Sequence, residues 1–106
     1  MKMNDETKKQ IENDIKNNKV LLYMKGTEDM PMCGFSGRVI SVLKSYNVPF
    51  KTVNILEDEE IRNAIKEYSD WPTIPQLYIN GEFVGGCDIA MELHENGELA
   101  NLLGKK

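Results

Sequence analysis

Two residues of this chain offer sulfur chemistry, Cys33 and Cys87. Cys33 lies in the stretch Met30-Pro31-Met32-Cys33-Gly34-Phe35-Ser36-Gly37. A loop precedes it, and apolar residues follow at helical spacing: Phe35, Val39, Val42, Leu43 and Tyr46. The spacing sets Cys33 at the start of a helix. Unpaired backbone N–H groups there carry partial positive charge, which favours the thiolate and lowers the thiol pKa. Lys25, at the end of the preceding predicted strand, adds positive charge. The thiolate is the form that attacks disulfides and binds metals. A Cys-x-x-Cys pair would need a second thiol at residue 36, where Ser36 stands. Cys33 is thus placed like a redox cysteine without a local partner. The alternative is a small buried hydrophobe, as free cysteines often are; the preceding loop and the following Gly34 weigh against it.

Three other groups are candidates for binding. Thr73-Ile74-Pro75 stands directly before a predicted strand. An X-Pro bond there suggests a cis peptide that turns the backbone of Ile74 outward, where it can pair with an extended peptide; the alternative is a simple edge-strand proline. Gly85-Gly86-Cys87-Asp88 leads into the last helical region. Glycines allow a ligand close to the backbone, and the helix start can bind a carboxylate. Asp88 is expected to be the N-cap of that helix, or to receive an ammonium group. Arg62 and Lys66 lie four apart, on one face of the third predicted helix; as a pattern they also fit solvated surface charges. His94 is not expected to ligate a metal, because no second histidine or cysteine pair stands at metal spacing.

The elements that would hold these residues follow from apolar periodicity. Residues 5 to 18 are polar, with Ile11 and Ile15 four apart, and fit a surface helix with a narrow apolar stripe. Val20 to Met24 reads as a buried strand, and 26 to 32 as a loop. Asn47-Val48-Pro49 stops the helix that starts after Cys33. Residues 50 to 55 alternate like a strand; Asp58 caps a helix carrying Ile61, Ala64, Ile65 and Tyr68. Asn80-Gly81 between two apolar runs marks a β-hairpin. Asn96-Gly97 breaks or kinks the last helical region. The predicted order is α-β-α-β-α-β-β-α. The fold class is α/β: a mixed four-stranded sheet, one parallel pair plus a hairpin, with helices on both faces.

A chain of 106 residues predicts one domain, 1–106, with a single core. A net charge of -4 argues against nucleic acid or an acidic membrane as a main partner. No window approaches the roughly 18 apolar residues of a membrane span. Two cysteines are too few for a disulfide scaffold. With no signal-like start, the cytoplasm is the expected compartment, or an organelle matrix if a leader has been removed.

Four separated stretches resemble the monothiol glutaredoxins with a Cys-Gly-Phe-Ser site: Leu21-Leu22-Tyr23-Met24-Lys25-Gly26, Cys33-Gly34-Phe35-Ser36, Trp71-Pro72-Thr73-Ile74-Pro75-Gln76 and Gly85-Gly86-Cys87-Asp88-Ile89. They occur in the right order, and the likeness covers nearly the whole chain as a single-domain form. The resemblance implies the thioredoxin-like fold, binding of glutathione, and with it a [2Fe–2S] cluster. Carried over, Cys33 is the cluster ligand and the thiol facing glutathione. Lys25 and Arg62, helped by Lys66, neutralise the glycine carboxylate. The Ile74 backbone pairs with the cysteinyl part. The N–H groups of Cys87 and Asp88 hold the γ-glutamyl carboxylate, and the Asp88 side chain receives its ammonium.

A [2Fe–2S] centre needs four ligands, usually thiolates. Two chains supply two, and two glutathiones the others, which implies a cluster-bridged homodimer. The expected function is cluster transfer in iron–sulfur assembly or iron homeostasis. Its partners would be iron–sulfur acceptor proteins and a BolA-like protein that replaces one subunit. Two alternatives stand beside it: glutathione-dependent thiol–disulfide exchange that removes glutathione from proteins, and a redox sensor with a reversible Cys33–Cys87 disulfide.

Overall fold

A computed structural model describes residues 4–104. Helix α1 (Asp5–Asn17) starts where the Asn4 side chain accepts a hydrogen bond from the Thr7 N–H at 2.8 Å, satisfying one of the donors that a helix start leaves open. Its apolar stripe, Ile11 and Ile15, is buried as the spacing predicts. The following elements are β1 (Val20–Met24), α2 (Gly34–Ser45), β2 (Lys51–Asn54), α3 (Glu59–Ser69), β3 (Gln76–Ile79), β4 (Glu82–Gly85), α4 (Cys87–Glu95) and α5 (Glu98–Leu102). This is the predicted order, with the last helical region divided in two. The division falls at Asn96–Gly97, where Gly97 takes φ +83°, a conformation open to glycine without a Cβ penalty. Strand β2 is one residue shorter at each end than its alternation predicts.

The sheet runs β2-β1-β3-β4. Strands β1 and β2 are parallel, joined through α2 as a crossover; β1 pairs with β3, and β3 with β4, in antiparallel fashion. The β3–β4 turn places Asn80 at φ 55° and Gly81 at φ 83°, the pair of positive values that a two-residue hairpin requires. Alternate residues of β1 face opposite layers. Val20, Leu22 and Met24 pack with residues of α2, α4 and α5, while Leu21 and Tyr23 pack with residues of α1 and α3. Both faces of the sheet are therefore covered, and all five residues of β1 are buried. The Tyr23 hydroxyl has no hydrogen-bond partner among the described residues. Burial, and then the charge of Asp14, push its phenol up, so the neutral form is kept. No helix is long and apolar enough to cross a membrane among the described residues.

Candidate functional site

The site is assembled at one end of the sheet, where β1 finishes and α2 begins. The Lys25 N–H donates to Ser36 Oγ at 3.2 Å, and the Gly26 N–H donates to Asn54 Oδ1 at 2.9 Å. Asn54 also accepts from the Leu56 N–H at 3.0 Å, so one amide ties the exit of β2 to the exit of β1. The chain then doubles back on itself. Thr27 and Met30 exchange backbone hydrogen bonds of 3.1 and 3.2 Å, and the Met32 N–H reaches the Lys25 carbonyl at 2.9 Å. Gly26 sits at φ +95°, and a Cβ there would come within 2.5 Å of Met32 N and 2.6 Å of Met30 O. Only glycine fits that approach.

This loop delivers Cys33 to the N-cap of α2, partly exposed. Its side chain makes no cap hydrogen bond. The Ser36 N–H faces it and is the main influence holding the thiol below its ordinary range; slight burial opposes, while the Phe35 N–H, the Lys25 charge and the Ser36 hydroxyl act the same way. Ser36 itself is fully buried. Its hydroxyl serves the Lys25 N–H, so the position where a second thiol would stand is a structural joint.

The opposite wall is the segment from Trp71 to Pro75. It leaves α3 through Asp70 at φ 54°, with the Trp71 N–H donating to the Lys66 carbonyl at 3.1 Å. The Ile74–Pro75 bond is cis, as the sequence suggests. The third wall is the start of α4. A Cβ on Gly86 would lie 3.2 Å from the Pro75 carbonyl oxygen, so glycine lets this helix start close against the 71–75 segment. Between the walls is a groove of about 230 Å³, lined by Phe35, Trp71, Thr73, Ile74, Pro75 and the run from Gly86 to Ile89.

Ile74, Cys87 and Asp88 thus share the groove, and Lys25 acts on Cys33 beside it. Cys87 is 7% exposed. Burial pushes its thiol up, Arg38 pulls it down, and Asp88 and Cys33 add to the rise. One expectation is corrected: Asp88 is not the N-cap of α4. Gly86 holds that position and Asp88 lies in the first turn, exposed. The helix begins two residues earlier than an Asp88 cap implies, because the backbone turns in at the glycine. Arg62 is exposed and Lys66 half-buried on α3, and neither is in an ion pair among the described residues. The end of α3 adjoins the groove through Trp71, but among the described residues no hydrogen bond joins the Arg62 or Lys66 side chain to it. His94 has a structural partner, with Nδ1 2.6 Å from the Tyr46 hydroxyl. No group of three or more His, Cys, Asp or Glu suited to a metal occurs among the described residues.

The glutaredoxin family model matches residues 20–84, more than half of the chain. The chain is 56% identical over 101 residues to the ycf64-like monothiol glutaredoxin of Synechocystis sp., covering 95% of this chain and 94% of that one. The chain belongs to the monothiol glutaredoxins. It is also 60% identical over 89 residues to the chloroplastic monothiol glutaredoxin-S14 of Arabidopsis thaliana, covering 84% of this chain and 51% of that one. The solution structure of reduced apo GrxS14 from poplar superposes with a TM-score of 0.82 at 54% identity, covering 92% of this chain and 89% of that one. The thioredoxin-like fold expected from the sequence is the one observed.

Three residues shape this glutaredoxin site in roles that residue type and spacing do not reveal, although Ser36 and Gln76 fall within the stretches that resemble the family. Ser36 reads only as a missing cysteine, yet it joins α2 to β1. Asn54 reads as a strand residue, yet its amide spans 28 positions to Gly26. Gln76 reads as the start of a strand, yet it is fully buried and donates to the Trp71 and Thr73 carbonyls at 3.1 and 3.2 Å. Each acts through a long-range or backbone hydrogen bond, which residue type and spacing do not encode.

Proposed function

We propose that this chain, as a single glutaredoxin domain, binds glutathione in the groove and with it holds a [2Fe–2S] cluster as cargo for iron–sulfur assembly. The observation that carries the reading is the contrast in sulfur chemistry beside the groove. Cys33 is partly exposed and favours the thiolate, whereas Cys87 is buried and favours the thiol. One chain then supplies one ligand thiolate, and the missing ligands must come from outside it. Glutathione fits the groove's chemistry. Lys25, Arg62 and Lys66 offer cations for the glycine carboxylate, and the Ile74 backbone offers its peptide groups to the cysteinyl part. The start of α4, with the N–H groups of Cys87 and Asp88, suits the γ-glutamyl carboxylate, and the Asp88 carboxylate suits its ammonium. Met30, Met32 and Phe35, within three residues of Cys33, are exposed, and so are Trp71 and Ile89 on the groove walls. Such an apolar collar suits docking of a second copy in a cluster-bridged homodimer, or of a BolA-like protein or a cluster acceptor. The cytoplasm is the compartment proposed, where reducing conditions keep thiols free.

Anaerobic reconstitution with iron, sulfide and glutathione tests the carrier. The expected result is visible cluster absorption together with a dimeric elution volume, both lost in Cys33→Ser and kept in Cys87→Ser. Colourless protein, or a cluster that forms equally well without glutathione, defeats it.

The lowered Cys33 thiol also favours a second reading, disulfide exchange. The Cys33 thiolate attacks the glutathione sulfur of a protein–glutathione mixed disulfide and releases the protein thiolate. A second glutathione, as thiolate, attacks the Cys33–glutathione disulfide and leaves as glutathione disulfide, restoring Cys33. A fast turnover by cluster-free protein would favour this reading over the carrier.

A further inference from the structure

Gln76 opens β3 beneath the groove with 0% exposure. A polar side chain at that depth is tolerated when its hydrogen bonds are made. Nε2 donates to the Trp71 carbonyl at 3.1 Å and to the Thr73 carbonyl at 3.2 Å, and Oε1 accepts from the Tyr78 hydroxyl at 3.2 Å. Both hydrogens of the amide are in use, and both carbonyls belong to the segment that walls the groove. The Ile74 side chain is buried in the core with residues of α1 and α3, but the backbone of the segment has few other hydrogen bonds. From Trp71 to Pro75, the one backbone–backbone hydrogen bond outside the strands is the Trp71 N–H to the Lys66 carbonyl, among the described residues. The N–H and C=O of Ile74 appear in no hydrogen bond outside the strand ladders among the described residues. With the carbonyls before it turned inward onto Gln76, the Ile74 peptide groups stay open to a ligand. The anchor is itself held, because the Tyr78 ring packs on Phe83 at 5.3 Å and Phe83 on Trp71 at 5.9 Å.

We propose that Gln76 is a positioning residue: by holding the Trp71 and Thr73 carbonyls inward, it presents the backbone of Ile74 to the cysteinyl peptide groups of glutathione. This rests on the groove being the glutathione site. Gln76 touches no ligand itself. Its effect passes through the backbone, so it concerns one part of the ligand, and an analogue altered at that part separates this role from general loosening.

The test is calorimetric titration of the full chain with S-methylglutathione and with its depsipeptide analogue, in which an ester oxygen replaces the N–H between the γ-glutamyl and cysteinyl residues. Loss of one neutral hydrogen bond predicts that the wild type binds the amide roughly 3- to 10-fold more tightly than the ester. Gln76→Met, which keeps the side-chain length and removes the donors, should bring that ratio close to one. Tyr78→Phe, which frees only Oε1, should reduce the ratio partway. A wild type that binds neither compound overturns the glutathione reading and this proposal with it. A wild type that binds both equally overturns the Ile74 contact and therefore the proposal. A wild type that discriminates, beside a Gln76→Met protein whose ratio is unchanged even at lower affinity, overturns the role of Gln76 and leaves the groove reading intact. If Gln76→Met does not fold, as a thermal melt will tell, the ratio in Tyr78→Phe decides: an unchanged value overturns the proposal.

Discussion

Cys33 and Cys87 both stand at the start of a helix, Cys33 as the N-cap of α2 and Cys87 as the first residue of α4. Their thiols are nevertheless pushed in opposite directions. Cys33 sits just ahead of the first turn with its sulfur near water, so the Ser36 and Phe35 N–H groups act on it with little burial to oppose them. Cys87 lies inside the first turn and under the groove, where desolvation outweighs Arg38, and Asp88 adds a like charge. A helix N-terminus is therefore not enough to activate a thiol. One residue of displacement along the helix, and the loss of water that comes with it, reverse the outcome.

The largest effect that would sharpen this contrast is in reactivity. Alkylation by iodoacetamide, followed by mass spectrometry, should modify Cys33 on the order of ten times faster than Cys87 at neutral pH, since only thiolates react. The pH profile of Cys33 should turn over below the ordinary thiol range, and that of Cys87 above it. The stability linkage has opposite signs at the two sites. The lowered Cys33 thiol contributes stability above the ordinary thiol range and loses it as pH falls through its lowered value. The raised Cys87 thiol contributes below the ordinary range and loses it as pH rises through its raised value. Equal rates at the two cysteines would break the comparison.

Next in size is a change in the loop that places Cys33. Gly26→Ala puts a Cβ against backbone atoms at a positive φ. It should cost about 2–4 kcal/mol, read by denaturant unfolding, from backbone strain and overpacking together. A smaller loss follows from Ser36→Ala, which leaves the Lys25 N–H without its acceptor. The expected cost is about 1–3 kcal/mol, with a rise of the Cys33 thiol and no change at Cys87. If both thiols move together, Ser36 is not specific to the first site. The smallest stability effect belongs to Asp88→Ala. Because Gly86 is the cap, removing Asp88 forfeits only its interaction with the helix dipole, about 0.3–1 kcal/mol. Glutathione affinity should fall far more than the melting temperature, and Cys87 should become slightly easier to ionise. An unchanged affinity would reduce Asp88 to a surface charge.

Much of this arrangement was legible in residue types. Apolar period separated α2 from β1, Asn80-Gly81 marked the hairpin, and Asn96-Gly97 marked the division between α4 and α5. Cys33 at a helix start follows from the same spacing, and so does its lowered thiol. By residue type Asp88 reads as the cap of α4, because an aspartate has a side chain to offer and a glycine has none, yet Gly86 holds the position. Gly86 is there for its closeness to the Pro75 carbonyl, a tertiary reason. The braces at Ser36, Asn54 and Gln76 depend on which backbone groups the fold brings within reach. The burial of Cys87 depends on how α4 packs, and local pattern does not report that either.

Trp71 is the only tryptophan of the chain, and it lines the groove with its ring against Phe83. Indole emission responds to polarity and quenching at the ring, so the molecule carries a built-in optical gauge at its own threshold. Filling the groove should alter that fluorescence with no other indole to dilute the signal, and occupancy can be followed in real time on unlabelled protein.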